Sequence, residues 1–218
     1  MDADTEQTAE PPKPRPYHHG DLANALLDAG EVELAEKGIE GFSLRGVAKR
    51  AGVSHAAPAH HFRDVDGLLT ALAARGFERF LARQEMFRQK ARREPRAQLQ
   101  ALGLGYVAFA MENPAVFRLM FGSTRPDFAS ERLGRAAQQA FEDLVRHVAG
   151  ATGNPNRPEK DRDALVDVGA VWAMAHGLAD LLVAGRLPSL GGLPERSRHQ
   201  AILAILSRSL AGADHPPA

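Results

Sequence analysis

The chain has 218 residues, of which 44% are hydrophobic, and its 27 acidic and 27 basic residues give a formal net charge of zero. This composition is typical of a globular protein with a buried core and argues against a protein that coats nucleic acid without specificity. The absence of cysteine excludes disulfide bonds and thiolate metal sites, and it fits a location in the reducing cytoplasm.

Residues 1–16 are predicted to form a flexible arm. They contain four prolines and six charged residues without an apolar run, so they do not resemble a signal peptide. Farther along, charged side chains interrupt even the most apolar stretch, residues 166–187, so no run reaches the length of about 18 residues that a membrane span needs. We therefore expect neither export nor a membrane span.

Two helices follow the arm. Apolar residues four positions apart predict a first helix over residues 20–37, which Gly38 closes. Ser43 is a good N-cap for a short second helix, which Gly52 ends.

A short third helix and a long fourth helix complete the first third of the chain. Ser54 can cap the third helix, which should run to about His61, although Pro58 would disturb a helix that starts at Ser54 and favours a later start. Asp64 is placed to cap the fourth helix, which is predicted over residues 65–92 because no proline interrupts it.

The remaining two thirds read as further helices separated by proline and glycine. The predicted blocks are residues 95–112, 114–122, 128–149, 161–184 and 195–210. No segment shows the alternation of a strand. The sequence therefore predicts an all-α fold of about nine helices.

The segment from Ser43 to Arg63 is basic and has no acidic residue. Its layout predicts a helix-turn-helix, in which Gly52 supplies a left-handed turn and Val53 fills the corner between two short helices. The second helix of such a motif can enter the major groove of DNA. The candidate DNA contacts are Ser43, Arg45, Ser54, His55, Ala56, His60, His61 and Arg63.

The run from Leu26 to Leu72 resembles the DNA-binding domain of the tetracycline-repressor (TetR) family. The residues that carry the resemblance are Ala35-Glu36-Lys37-Gly38, Ser43, Val47-Ala48, Ala51-Gly52-Val53-Ser54, His61-Phe62 and Leu68-Leu69, in the order that the family shows. A second, shorter resemblance joins residues 172–177, Trp-Ala-Met-Ala-His-Gly, to the WHG type of C-terminal domain. Together they imply a cytoplasmic, DNA-binding transcriptional regulator, most simply a repressor that a small apolar or amphipathic ligand releases from its operator.

Two departures from the family pattern concern phosphate contacts. Pro58-Ala59 stands where the family usually has Leu-Tyr, and Val65 stands where many members have lysine. We therefore expect a weaker affinity for DNA. Other donors can replace the missing phosphate contacts; the candidates are His60, His61, Arg63, Lys13 and Arg15.

The resemblance also divides the chain into domains. Residues 1–16 would be the arm, residues 17–63 the DNA-binding domain, and residues 64–218 a ligand-binding and dimerisation domain that residues 64–92 connect to the first. Large or adaptable side chains in this last domain either line a ligand cavity or form ordinary core. The candidates for the cavity are Tyr106, Phe109, Phe117, Met120, Phe121, Trp172 and His176.

The last two helices are expected to pair with their symmetry mates in a four-helix bundle, as they do in the family. Both present more apolar residues than one neighbour can cover. The residues expected to supply that surface are Val168, Val171, Ala175, Leu178, Leu182, Ile202, Ile205, Leu206 and Leu210.

Other function classes have less support. The sequence has none of the short motifs of serine hydrolases, phosphate loops or zinc proteases, which argues against an enzyme, and we expect no cofactor. Five histidines, at positions 18, 19, 55, 60 and 61, lack the spacing of a metal site. One alternative stays open: a ligand-binding helical dimer whose degenerate helix-turn-helix no longer binds DNA. The sequence does not distinguish a repressor from an activator.

Overall fold

The computed structural model describes residues 19–211 of the chain and the side chains of residues 22–208. These residues form helices and no strand, which confirms the all-α prediction. The predicted arm, His18, Lys13 and Arg15 lie outside the described residues. The helices are α1 (His19–Lys37), α2 (Leu44–Ala51), α3 (Ala57–Phe62), α4 (Val65–Lys90), α5 (Pro95–Glu112), α6 (Pro114–Gly122), α7 (Glu131–Thr152), α8 (Arg162–Val183), α9 (Pro188–Gly191) and α10 (Glu195–Ala211).

The described chain thus has ten helices, where about nine were expected. The additional one is α9, a four-residue turn in a segment that its proline and glycines predicted to be a break. Its N-terminal Pro188 explains both the break and the new helix, because proline cannot continue a preceding helix but fits the first turn of the next one.

Three helix ends form as their side chains predict. The Ser43 Oγ accepts a hydrogen bond of 3.1 Å from the N–H of Gly46 and caps α2. Gly52 ends that helix with φ of 67°, a conformation that residues with a Cβ rarely adopt. The Asp64 Oδ1 accepts a 2.8 Å bond from the N–H of Gly67 and caps α4.

The expectation that Ser54 caps the third helix is wrong. Helix α3 begins at Ala57, its N-cap is Ala56, and no side chain caps it. Pro58 then lies in the first turn, where the missing N–H has no helical partner to lose. The later start that Pro58 favours is therefore confirmed.

Helix α7 begins at Glu131, three residues after the predicted start at Phe128. The reason is a turn before the helix, in which the Asp127 Oδ1 accepts a 2.9 Å bond from the N–H of Ala129. Aspartate favours such side-chain turns over the first turn of a helix. Phe128 therefore lies outside α7, with 43% of its surface exposed.

Helices α1 to α3 form a small head, and α4 leads from it into the rest of the molecule. Helix α4 has 26 residues, which corresponds to about 39 Å at 1.5 Å per residue. One continuous buried cluster runs from Leu26 and Val47 in the head to Phe109 in α5 and Ile202 in α10. The head therefore shares its core with the helices behind it.

The last two long helices correct the expectation about their exposed residues. The apolar residues predicted to face a second copy are largely buried within their own chain: Val168, Ala175, Leu178, Leu182, Ile202 and Leu206 are each at most 9% exposed. Val171 and Ile205 are half-buried, and the side chain of Leu210 lies outside the described residues. The structure instead exposes Leu165, Val166, Trp172 and Leu181 of α8.

Helix α8 also has a composition that bears on location. Among the described residues it is the one helix long and apolar enough to cross a membrane, and 28% of its apolar window is buried. Length and composition alone are weak support for a span. In the single chain, the outward face of α8 is apolar and exposed at Leu165, Val166 and Leu181.

Candidate functional site

The head exposes most of the residues predicted to contact DNA. Seven of the eight candidates are exposed, and Ser43, the cap of α2, is half-buried. Arg45 lies on α2, the residues 54–56 form the turn that leads into α3, and His60 and His61 lie on α3 itself. The residue types that contact phosphates and base edges are thus accessible on the helix-turn-helix.

Arg50, the last arginine of α2, is not available in the same way. Its Nε lies 2.6 Å from the Glu33 Oε2, and its two terminal nitrogens bond both carboxylate oxygens of Glu36. The hydrogen bond from Arg50 lowers the pKa of the Glu36 carboxyl. Part of the basic segment is therefore neutralised by α1, and Arg50 joins the first two helices.

Glu33 is the centre of this junction. Its residue surface is only 4% exposed, and the Ser43 hydroxyl lies 3.5 Å from its Oε1. A Cβ on Gly46 would lie 2.0 Å from the same oxygen, so only glycine leaves room for the carboxylate. The sequence did not reveal this junction, because Glu33 reads as an exposed residue of an amphipathic helix.

Arg63 makes the connection between α3 and α4. It has φ of 67° and ψ of −60°, and the N–H of Asp64 bonds the carbonyl of Phe62 at 2.8 Å across it. This tight turn is strained for a residue with a side chain. The guanidinium of Arg63 is 86% exposed and lies 2.9 Å from Asp64. The N–H of Gly67 and then Arg63 lower the pKa of Asp64.

A cavity of about 370 Å³ lies among α4, α5, α6, α7 and α8. This volume lies within the range of small-molecule sites. The lining is mainly aromatic and aliphatic, and none of the described residues in it is charged. They are Phe77, Phe80, Gln84, Leu99, Leu102, Gly103, Tyr106, Met120, Phe121, Ser123, Phe128, Ala137, Ala140, Phe141, Leu144, Val171, Trp172 and Ala175.

Four of the seven predicted ligand residues line this cavity: Tyr106, Met120, Phe121 and Trp172. The other three lie behind the lining and contact it. The ring centroid of Phe109 lies 5.4 Å from that of Phe80, and the ring centroid of Phe117 lies 5.1 Å from that of Phe121. The Nδ1 of His176 lies 2.8 Å from the Tyr106 hydroxyl oxygen.

Tyr106 and His176 form a polar pair at the edge of an apolar site. Burial raises the pKa of the Tyr106 phenol, although a hydrogen bond from Trp172 opposes the shift. The phenol therefore stays protonated at neutral pH. The Tyr106 hydroxyl and the His176 Nδ1 are at hydrogen-bond distance, and the tautomer of His176 decides which of the two donates.

Gln84 is a polar lining residue that the sequence analysis did not single out. It is 5% exposed, and its Nε2 donates a 3.2 Å hydrogen bond to the carbonyl of Leu102 in α5. A glutamine on a long helix usually faces solvent, so no pattern marked it.

Ion pairs and hydrogen bonds connect the head to the cavity. The Arg79 guanidinium in α4 bonds both Glu31 carboxylate oxygens in α1, at 2.8 and 2.7 Å. It also donates a 2.5 Å bond to the Asn113 Oδ1, immediately before α6. Because α6 supplies Met120 and Phe121 to the cavity lining, one guanidinium links α1 to a helix of the cavity.

Comparison with known proteins places both regions in one family of sequences. Residues 26–72 match the family model described as "Bacterial regulatory proteins, tetR family", and residues 99–205 match "Tetracyclin repressor-like, C-terminal domain". A similar protein, the HTH-type transcriptional regulator BetI of Paraburkholderia phymatum, is 27% identical over 189 residues, which cover 73% of this chain and 91% of the relative.

Solved structures share the whole architecture. A protein with unknown function from Rhodococcus sp. RHA1 is 36% identical, with a TM-score of 0.71 over 91% of this chain and 98% of its own. A TetR-like transcriptional regulator from Rhodococcus sp. RHA1 has a TM-score of 0.63 over 90% of this chain and 100% of its own, and at 19% identity it shows the shared fold. The two matched segments contain the helix-turn-helix and most of the cavity lining.

Proposed function

Because the chain belongs to the TetR family and is a DNA-binding transcriptional regulator, we propose that it is a homodimeric repressor that a small molecule releases from its operator. The observation that carries the proposal is the combination of an exposed helix-turn-helix with an apolar cavity in one continuous core. Under this proposal the chain acts in the cytoplasm and catalyses no reaction. The division into a DNA-binding domain, residues 17–63, and a ligand-binding and dimerisation domain, residues 64–218, belongs to the same proposal.

For DNA contact we propose the exposed residues of the head. Arg45 and the residues 54–56 would reach the major groove or its edges. The side chains of His60, His61 and Arg63 would contact phosphates. Ser43 would contact the DNA from the start of α2. The accessibility of these side chains supports the assignment. Arg50 is left out because α1 already binds its guanidinium.

For dimerisation we propose the outward face of α8 together with α10. Small residues recur along α8 at Gly169, Ala173 and Gly177, and a Cβ on either glycine would meet nothing within 4 Å. Leu165, Val166 and Leu181 extend this exposed apolar surface. Two copies of such a face can approach closely in an isologous interface, which would cover it from water. A dimer thus accounts for the exposed apolar face of α8 without a membrane.

For ligand release we propose a two-state mechanism. The dimer binds DNA when its two heads are about 34–36 Å apart, the distance between successive major grooves. A ligand that binds a different arrangement a hundredfold more tightly shifts the equilibrium by about 2.7 kcal/mol. Arg79 supports this coupling, because its contacts to Glu31 and Asn113 join α1 to the start of α6.

Fluorescence anisotropy with labelled DNA from the region upstream of the coding sequence tests the proposal. We expect saturable binding to this DNA with a lower Kd than for random DNA of equal length and charge. The slope of log K against the logarithm of the salt concentration should report the number of phosphate contacts. A compound that binds the cavity should raise the Kd for this DNA. Equal affinity for both DNAs would favour the alternative, a ligand-binding dimer with a degenerate head.

A further inference from the structure

The cavity contains one buried polar group whose chemistry points to a class of ligand. We propose that the cavity binds an uncharged, mainly apolar molecule with a hydroxyl or N–H group, and that this group donates a hydrogen bond to the Oε1 of Gln84. The inference rests on the proposed function in one respect, namely that this cavity is the effector site. Beyond the proposed function, the inference specifies the charge of the ligand, its polar group and the residue that selects this group.

The charge of the ligand follows from the lining. None of the described lining residues is an aspartate, glutamate, lysine, arginine or histidine. Moving an ionised group from water into such a site without a partner is costly. The aromatic rings could attract a cation, but no carboxylate is present to pair with it. An uncharged ligand is the one class that the lining accepts without an unpaired charge.

The orientation of the Gln84 amide is determined by its partner. A backbone carbonyl can only accept, so the amide nitrogen must be the atom that faces the Leu102 oxygen, 3.2 Å away. The Oε1 is then a pure acceptor on a residue that lines the cavity. Helices α4 and α5 are in close contact here, because a Cβ on Gly105 would lie 2.6 Å from the Gln84 Cα. The backbone that carries this acceptor is therefore held in place.

Two other polar side chains of the described lining, Tyr106 and Ser123, already have a partner. The Tyr106 hydroxyl oxygen lies 2.8 Å from the His176 Nδ1. The Ser123 Oγ accepts a 3.2 Å bond from the N–H of Arg125. The Gln84 Oε1 accepts no hydrogen bond from the described part of the chain, so a ligand that buries it without a donor would leave it unsatisfied.

The size of the cavity limits the ligand. A cavity of about 370 Å³ lies near the lower end of the range for small-molecule sites, so it fits a small molecule of one or two rings. A biphenyl body has this size. Probes that share this body and differ in one substituent therefore separate the contribution of the polar group from that of shape.

The test uses four such probes and isothermal titration calorimetry on the full-length protein. The probes are 4-phenylphenol, which donates; 4-methoxybiphenyl, which cannot; biphenyl-4-carboxylate; and 4-biphenylyl-trimethylammonium. We expect the phenol to bind about tenfold more tightly than the methyl ether, as a lost hydrogen bond to a buried acceptor predicts. Both ions should bind more weakly still. Absence of binding by all four probes, tightest binding by an ion, or equal affinity of phenol and ether would each overturn the inference.

A Gln84→Leu variant then assigns the preference to this residue. We expect the phenol-to-ether ratio to fall from about ten to about one, since leucine has no acceptor. The matched control is Gln100→Leu, which removes a glutamine that bonds Ser207 away from the cavity lining, and it should retain the ratio. A purely structural role would weaken both probes by the same factor and would overturn the assignment. Should Gln84→Leu fail to fold, Gln84→Met, which keeps the unbranched side chain, replaces it.

DNA anisotropy with the same probes separates this inference from the proposed function. If the phenol binds with the Gln84 preference but leaves the Kd for operator DNA unchanged, the cavity selects its ligand as inferred and the release mechanism is wrong. If phenol and ether bind equally and both release the DNA, the release mechanism stands and the role of Gln84 is wrong.

Discussion

The guanidinium of Arg50 in α2 forms an ion pair of 2.6 Å with the carboxylate of Glu33 in α1, whose side chain is only 6% exposed. Removing Arg50 leaves this carboxylate almost buried without its partner, which is costly even after allowance for the partial exposure of the arginine. We expect Arg50→Leu to lower the free energy of unfolding in urea titrations by clearly more than the control substitution. The exposed neighbour Lys49 provides the control, since Lys49→Leu should change it by less than about 0.5 kcal/mol. Equal stability of the two variants would contradict the structural role of Arg50.

Arg45 and His55 are expected to affect DNA binding without affecting stability. Both are exposed on the helix-turn-helix, so their removal should leave the melting temperature unchanged. Arg45→Ala and His55→Ala should each weaken operator binding by about 1–3 kcal/mol if they contact bases, and Arg45→Ala should reduce the salt slope by about 1 if Arg45 contacts a phosphate. Arg135→Ala, on the exposed surface of α7, serves as the control for a lost surface residue. If anisotropy shows full affinity for both variants, the proposed contacts are wrong.

Gly46 should be intolerant of even one added carbon. A Cβ there would lie 2.0 Å from the Glu33 Oε1, so Gly46→Ala must displace the carboxylate that binds Arg50. We expect Gly46→Ala to be destabilising, although alanine is the better helix former. Gly150→Ala in α7 is the matched control, because its nearest atom would be 3.8 Å away, and it should stabilise by about 0.4–1 kcal/mol. Chemical denaturation distinguishes these opposite signs.

Asp64 should make stability depend on pH in the acid range. Because the N–H of Gly67 and the side chain of Arg63 lower its pKa in the folded chain, its charged form contributes stability above the pKa of the unfolded chain. That contribution is lost as the pH falls through the lower, folded pKa. Asp64→Asn keeps an acceptor without titrating. The melting temperature of the wild type relative to this variant should stay constant from pH 7 to about 5 and decrease below that. If the melting temperatures of the wild type and Asp64→Asn differ by the same amount at pH 7 and at pH 3, this expectation is refuted.

A charge on the outward face of α8 should break the dimer. Ala173 is exposed between Gly169 and Gly177, and Ala173→Arg would place two unpaired charges in the proposed interface. We expect sedimentation analysis to show a monomer, together with weaker operator binding because two heads no longer act together. Ala82→Arg, at an exposed position of α4, is the control and should leave the dimer intact. A dimeric Ala173→Arg protein would place the interface elsewhere.

The sequence predicted those parts of the fold that depend on neighbouring residues. Ser43, Gly52 and Asp64 set helix ends through their own side chains or backbone freedom, and these ends form as expected. Pro58 likewise explains the late start of α3. In each case, the determining contacts lie within a few residues along the chain.

The features that were missed depend on contacts between distant segments. Glu33 and Arg50 are 17 positions apart, and their pairing requires α2 to dock on α1. Gln84 is buried only because α5 lies against α4 at Gly105. On α8, periodicity identifies an apolar helix but not which side faces inward, so Val168 was expected outside and is buried. Tertiary packing decides all three.

Trp172 lines the cavity, is 42% exposed, and is the only tryptophan of the chain. The intrinsic fluorescence of the protein therefore originates at the cavity. A molecule that enters and displaces water from the indole should shift its emission to shorter wavelength, and stopped-flow recording of that signal would give association and dissociation rates without an attached dye. The residence time of an effector could then be compared directly with the lifetime of the complex on DNA.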